Sequence, residues 1–226
     1  TIHNYGLDRL QPGLTKAIKE FIDLAQESGL PNKEEDVLPK EYIKVAIAGR
    51  PNVGKSSFVN TVLKEERVIV DHAPGTTRDA VDIYFSENDK HYILIDTAGM
   101  RHKRKMKDKA DVFSFARAKE AVRRADIVLT IVDAEEGLCV DDIKIIEYAL
   151  SYNKPCAVLV NKWDLVKGVQ MADYQKALIS RLKTVEWLPV VFISCLKNRN
   201  IINAIETASE LKERSQRTIT TPQLND

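Results

Sequence analysis

Eight consecutive residues, Gly49-Arg50-Pro51-Asn52-Val53-Gly54-Lys55-Ser56, carry the clearest chemistry in this chain. Glycines at this spacing let backbone N–H groups turn inward on phosphate oxygens, and the lysine that follows reaches the β and γ oxygens. The Ser56 hydroxyl is a ligand for Mg²⁺, and Ser57 continues the nucleotide-contacting run. Tyr42 to Ala48 ahead of it reads as a buried strand, and Ser57 to Leu63 behind it carries apolar residues at helical spacing. The loop therefore opens a helix whose N-terminus faces an anion, which an ordinary strand-to-helix turn does not require.

Two further stretches extend the phosphate site. Asp96-Thr97-Ala98-Gly99 sits at the end of the third expected strand, where an open α/β sheet presents its ligand-binding groups. Asp96 would hold Mg²⁺ through water, and the Gly99 N–H would meet the γ-phosphate. Thr97, Ala98 and Met100 complete that nucleotide-contacting stretch. Between the two motifs, Pro74-Gly75-Thr76-Thr77-Arg78-Asp79 offers a threonine to complete the Mg²⁺ shell: Thr77 first, Thr76 as the alternative.

Asn161-Lys162-Trp163-Asp164 reads the base. The Asp164 carboxylate accepts from guanine N1–H and N2–H₂, whereas adenine would leave it unpaired. The Asn161 amide can donate to N7, the Lys162 stem can lie over the ring, and Ser194-Cys195-Leu196 can supply a backbone N–H to O6. An adenine nucleotide would require Asp164 to be a bystander.

Positioning these groups takes a strand before each motif. Strands are expected near Tyr42 to Ala48, Ala80 to Ser86, His91 to Asp96, Asp126 to Val132, Pro155 to Val160 and Val190 to Ile193, with helices near Lys55 to Lys64, Ala110 to Arg124, Val140 to Ser151, Asp173 to Lys183 and Asn200 to Lys212. This alternation predicts a three-layer α/β/α fold around a six-stranded, mostly parallel sheet. The polar turn Glu87-Asn88-Asp89-Lys90 makes the second and third strands an antiparallel hairpin, giving one antiparallel edge strand.

Composition narrows the class. The 226 residues are 44% hydrophobic, enough for a real core, and the net charge of +1 gives no global pull toward nucleic acid or membrane. Cys139, Cys156 and Cys195 lack metal-ligand spacing and lie in or beside apolar runs, which points to reduced core thiols and a cytoplasmic protein. His3, His72, His91 and His102 show no triad or metal spacing. Trp163 and Trp187 are expected to pack rather than to stack on bases. No apolar stretch is long enough to span a membrane as a helix. The chain begins at Thr1 rather than Met, as a processed or excised fragment would.

These motifs in this order resemble the Ras-like P-loop GTPases, and G-R-P-N-V-G-K-S-S, P-G-T-T-R-D and D-T-A-G-M resemble their Era-like branch, over Tyr42 to about Arg214. The resemblance implies GTP hydrolysis with Mg²⁺. Met100 stands where Ras-type members have the glutamine that orients the attacking water. Members with this pattern use K⁺ instead, and their P-loop asparagine, its side-chain ligand, falls on Asn52; the alternative is a loop-stabilising amide. The resemblance thus assigns catalytic roles to Lys55, Thr77, Gly99 and Asn52, Mg²⁺ to Ser56, Thr77 and Asp96, and K⁺ to Asn52.

Arg101 to Lys109, with six Lys or Arg in nine residues, and Asn161-Lys162-Trp163-Asp164-Leu165-Val166 are similar to the second G domain of the Der (EngA) family. That family has tandem G domains, a KH-like domain and a role in assembling the large ribosomal subunit. Residues 1–29 would be the terminal helix of a preceding G domain, since Thr1 to Leu7 can be laid over Cys195 to Ile201 with Asn4 on Asn198; the alternative is two unrelated amphipathic helices. Residues 30–41 would be a linker, 42–217 the GTPase domain, and 218–226 the start of a KH-like domain. The family usually has alanine at Cys195. The basic run would contact rRNA, a ribosomal particle or another domain in a nucleotide-dependent way, or remain a solvated loop. Two other readings stay open: the G domain of an MnmE-type tRNA-modifying GTPase, and a nucleotide-sensing RNA-docking module with negligible hydrolysis.

Overall fold

A computed structural model describes residues 41–65, 68–71, 82–95, 110–182 and 187–217. The leading helical pattern and linker up to residue 40, the Thr76-Thr77 loop, Asp96 to Gly99 with Met100, the basic run and the tail from residue 218 lie outside the described residues.

Seven strands form one sheet in the order β2-β3-β4-β1-β5-β6-β7: β1 is Tyr42–Ala48, β2 Ile69–Asp71, β3 Ile83–Glu87, β4 Lys90–Ile95, β5 Ile127–Asp133, β6 Cys156–Asn161 and β7 Val190–Phe192. Among the described residues, five α-helices accompany them: α1 is Lys55–Val62, α2 Ala110–Arg124, α3 Val140–Ser151, α4 Met171–Leu182 and α5 Ile201–Ser215. The six expected strands are all present and mostly parallel. The three-residue β2 adds a seventh, so β3, antiparallel to both β2 and β4, lies next to the edge.

The hairpin closes as its polar turn predicts. Glu87 pairs with Lys90, leaving Asn88 and Asp89 as a two-residue loop with φ of 48° and 60°. That is the left-handed geometry a tight hairpin needs, and Asn and Asp tolerate it.

Burial explains the layering. Val45 and Ile47 of β1 face a core with Phe58 and Val59 of α1 and Ile201 and Ile205 of α5, while Ala46 and Ala48 face a second core with Val122, Ile146 and Leu178. Every residue of β5 and β6 is buried, as expected of central parallel strands covered on both faces. Trp163 packs on Phe192 and Tyr174, with ring centroids 4.5 and 5.1 Å away. Trp187 departs from the packing expected of it: it is 63% exposed in the turn before β7. All three cysteines are free, with Cys156 buried and Cys139 and Cys195 only half-buried because each lies in a loop beyond its strand. Burial pushes the Cys156 and Cys195 thiols up to about 12. No helix among the described residues is long and apolar enough to cross a membrane.

Candidate functional site

The parallel strands deliver their motifs to one edge of the sheet, because β1, β5, β6 and β7 all end there. Ala48 at the end of β1 leads into the phosphate loop, and Asp133 at the end of β5 is in register with Asn161 at the end of β6.

The loop's geometry leaves no room for side chains at its two glycines. Gly49 has φ of 129°, and a Cβ there would lie 2.2 Å from the Ile131 carbonyl oxygen. Gly54 has φ of 104°, and its Cβ would lie 2.1 Å from Asn161 Nδ2. Gly54 is also the residue before α1, and its carbonyl accepts the Phe58 N–H at 2.8 Å. The left-handed turn thus points the first, unpaired N–H groups of the helix into the loop.

Lys55 Nζ donates to the carbonyls of Gly49 and Arg50, both at 2.5 Å, which aims the ammonium across the loop it closes. Ser56 Oγ is buried and has no hydrogen-bond partner among the described residues. A hydroxyl withdrawn from water without a partner is costly, and a hard cation seated there would satisfy it, so the residue fits Mg²⁺. Val53 is buried, Pro51 and Asn52 are exposed, and Asn52 sits at φ 66°. No hydrogen bond holds the Asn52 amide among the described residues, which weighs against a purely loop-stabilising role. Ser57 is exposed on the first turn of α1.

Arg50, expected to contact the nucleotide with the rest of its motif, has its side chain on Asp142 and Glu136 and anchors the loop to the rest of the domain. Its Nε donates to Asp142 Oδ2 at 3.0 Å and its Nη1 contacts Glu136 Oε2 at 2.7 Å. Asp142 is fully buried in the first turn of α3 and also accepts the Cys139 N–H at 3.1 Å. Nothing local in the sequence announces this pair, since the partners are 92 residues apart.

The base-reading motif is tied to the phosphate loop through Asn161. Its Nδ2 donates to the Val53 carbonyl at 2.8 Å, and its Oδ1 accepts the Cys195 N–H at 3.1 Å. The residue expected only to touch the base therefore bridges three loops while 2% exposed. The Cys195 N–H is engaged by Asn161, whereas the Leu196 N–H has no partner among the described residues. Ser194 Oγ accepts the Lys197 N–H at 3.1 Å and shapes that turn.

Lys162, at φ 63°, contacts Asp133 Oδ2 through its ammonium. Burial alone would raise the Asp133 carboxyl, but hydrogen bonds from Lys162 and from the Glu135 N–H outweigh it and hold the group below its usual value. The pair fixes the Lys162 side chain at the ends of β5 and β6. Trp163 faces the core, and Asp164, in the short helix Trp163–Leu165, has no hydrogen bond or ion pair among the described residues. A half-buried carboxylate left unpaired suits a ligand that brings two N–H groups.

A family model described as 50S ribosome-binding GTPase matches residues 44–162. GTPase Der of Desulforamulus reducens is 40% identical over 208 residues, 90% of this chain and 47% of that protein. GTPase Der of Chlorobium phaeobacteroides is 43% identical over 85% of this chain and 44% of its own length. The chain thus spans about half the length of the curated relatives it matches. Among solved structures, Era in complex with MgGDPNP and a 16S ribosomal RNA segment is 31% identical, with a TM-score of 0.54, covering 76% of this chain and 56% of that one. Era of Aquifex aeolicus bound to GDP and AlF4⁻ is 32% identical, with a TM-score of 0.53, covering 75% and 56%.

Proposed function

Because the chain belongs to the 50S ribosome-binding GTPase family, we propose that it is a GTP-binding, GTP-hydrolysing switch and part of a tandem-G-domain protein of the Der type. Its place is cytoplasmic assembly of the large ribosomal subunit. The observation that carries this reading is Asn161, whose amide joins the phosphate loop at Val53 to the loop at Cys195. Phosphate and base subsites joined in this way suit one guanine nucleotide lying across both.

In this reading Lys55 holds the β and γ oxygens, the first N–H groups of α1 neutralise the phosphates, and Asp164 with the Leu196 N–H selects guanine. Ser56, with Thr77 and Asp96, would hold Mg²⁺, whose charge stabilises the leaving diphosphate. Asn52, exposed and with its amide unengaged, would hold K⁺, while the Gly99 N–H senses the γ-phosphate. Attack by water needs no covalent intermediate, so positioning and charge neutralisation carry the catalysis and isolated turnover is slow. The matched relatives are Der proteins, which favours this reading over an MnmE-type G domain.

The rRNA contact of the basic run, residues 1–29 as the end of a preceding G domain, and residues 218–226 as the start of a KH-like domain belong to the same proposal. Phosphate release from GTP, followed in K⁺ and in Na⁺ buffers with ATP as competitor, tests it. Faster release in K⁺ and no competition by ATP are expected. Equal rates refute the role of Asn52 in holding K⁺, and ATP binding as tight as GTP refutes guanine selection.

A further inference from the structure

Away from the nucleotide site, α2 and α3 bring four side chains together at the surface. Tyr148 and Tyr152, one turn apart on and just past α3, have ring centroids 4.9 Å apart. From α2, Arg123 Nε donates to Tyr148 Oη at 2.9 Å and its Nη2 to Tyr152 Oη at 3.4 Å. The Arg123 guanidinium carbon lies 5.7 Å from the Tyr152 ring centroid, and Lys119 Nζ lies 5.1 Å from that of Tyr148.

The arrangement differs from the other ion contacts of the surface. Arg124, Lys144 and Arg214 each face a carboxylate, namely Asp82, Asp141 and Glu210. Arg123 is held in place by two phenol oxygens and has no carboxylate partner among the described residues, so its charge is positioned without being neutralised. Tyr152 remains 44% exposed, with the Arg123 guanidinium over its ring and Tyr148 beside it. A fixed cation beside a partly exposed aromatic ring is what a single-stranded nucleic acid binds: the phosphate goes to the guanidinium and the base stacks on the exposed part of the ring. An apolar peptide would leave Arg123 without an anionic partner, and an acidic one would not use the ring.

We propose that the Arg123–Tyr148–Tyr152 face of α2 and α3, with Lys119, is a docking surface for single-stranded RNA, one unpaired base stacking on Tyr152 and its phosphate meeting Arg123. This rests on the ribosomal reading above and adds to it a surface formed by α2 and α3.

The full chain is titrated with a labelled ten-nucleotide oligoadenylate over a salt series and, in parallel, pelleted with large ribosomal subunits. Tyr152→Ala should weaken oligonucleotide binding by about five- to a hundred-fold, the range for loss of one base stack, while Tyr152→Phe keeps it. Arg123→Gln should reduce the slope of log K against log salt by about 0.7, the loss of one phosphate contact. Melting temperature and GTP hydrolysis should be unchanged, because Tyr152 and Arg123 are surface residues away from the site. If wild type binds and these variants bind equally well, the surface is wrong while the ribosomal reading stands. If wild type binds neither RNA nor subunits, both fall. Subunit binding that needs Tyr152 without any RNA binding would make a protein the partner and overturn the assignment to RNA.

Discussion

Replacing Asn161 with alanine would test whether the phosphate and base subsites are one unit or two neighbours. The change deletes two hydrogen bonds, Nδ2 to Val53 O at 2.8 Å and Cys195 N to Oδ1 at 3.1 Å. The Val53 carbonyl sits in the core and stays dry, so it bears most of the desolvation penalty, about 2 kcal/mol. Cys195 is half-buried, and water can reach its N–H, so its loss is smaller, about 1 kcal/mol. Together the nucleotide-free protein should lose about 3 kcal/mol, a fall of about 6–12 °C in melting temperature at ~2–4 °C per kcal/mol for a domain of this size. Guanine nucleotide binding should suffer beyond the loss of any base contact, because the loops must then be ordered by the ligand. A drop of at least tenfold in GDP affinity corresponds to ~1.4 kcal/mol of that ordering. Thermal melts without nucleotide and titration with a fluorescent GDP measure both. A variant that melts within a degree of wild type and binds GDP equally well would show that the brace contributes nothing.

Gly54→Ala puts a methyl group 2.1 Å from Asn161 Nδ2 at φ 104°, where L side chains are strained. It should destabilise the domain by about 1–3 kcal/mol and lower nucleotide affinity, seen as an earlier melt that added GDP fails to restore. Asp133 titrates below the ordinary carboxylate value of 3.8 because Lys162 and the Glu135 N–H outweigh its burial. A depressed folded-state value means that its stabilisation is fully present above the unfolded pKa and is lost as pH falls from about 3.8 toward the lower folded value. Acid unfolding should therefore be shallower in that window for Asp133→Asn than for wild type, and identical acid limbs would contradict the pairing.

Long apolar runs made the fold legible. Ile127 to Asp133 and Cys156 to Asn161 are buried throughout, and such runs announce themselves without any partner. Helices α2 and α3 end where their apolar spacing ends. By contrast, β2 is three residues long, too short for any periodicity to register, and its pairing with Tyr84 to Ser86 is a tertiary event. The site divides in the same way. Gly49, Gly54 and Lys55 are readable because their roles depend on chain neighbours within a few positions. The bracing by Asn161 and the anchoring of Arg50 on Asp142 depend on partners 108 and 92 residues away, which local pattern cannot reach. Trp187 was misjudged because a large aromatic is a poor guide to burial in a turn.

The sheet's margins have a consequence for how the protein behaves in solution. Its interior strands are long, apolar and rich in β-branched residues, the composition that templates aggregation when left unpaired. Both margins, β2 and β7, are only three residues long, and so expose little unsatisfied ladder for a second molecule to add to. The hazard therefore lies in the refolding chain before Ile69–Asp71 and Val190–Phe192 have docked, when the bare flanks of β3 and β6 can recruit a neighbour. Yield on refolding should fall with protein concentration far more steeply than the native protein's solubility would suggest.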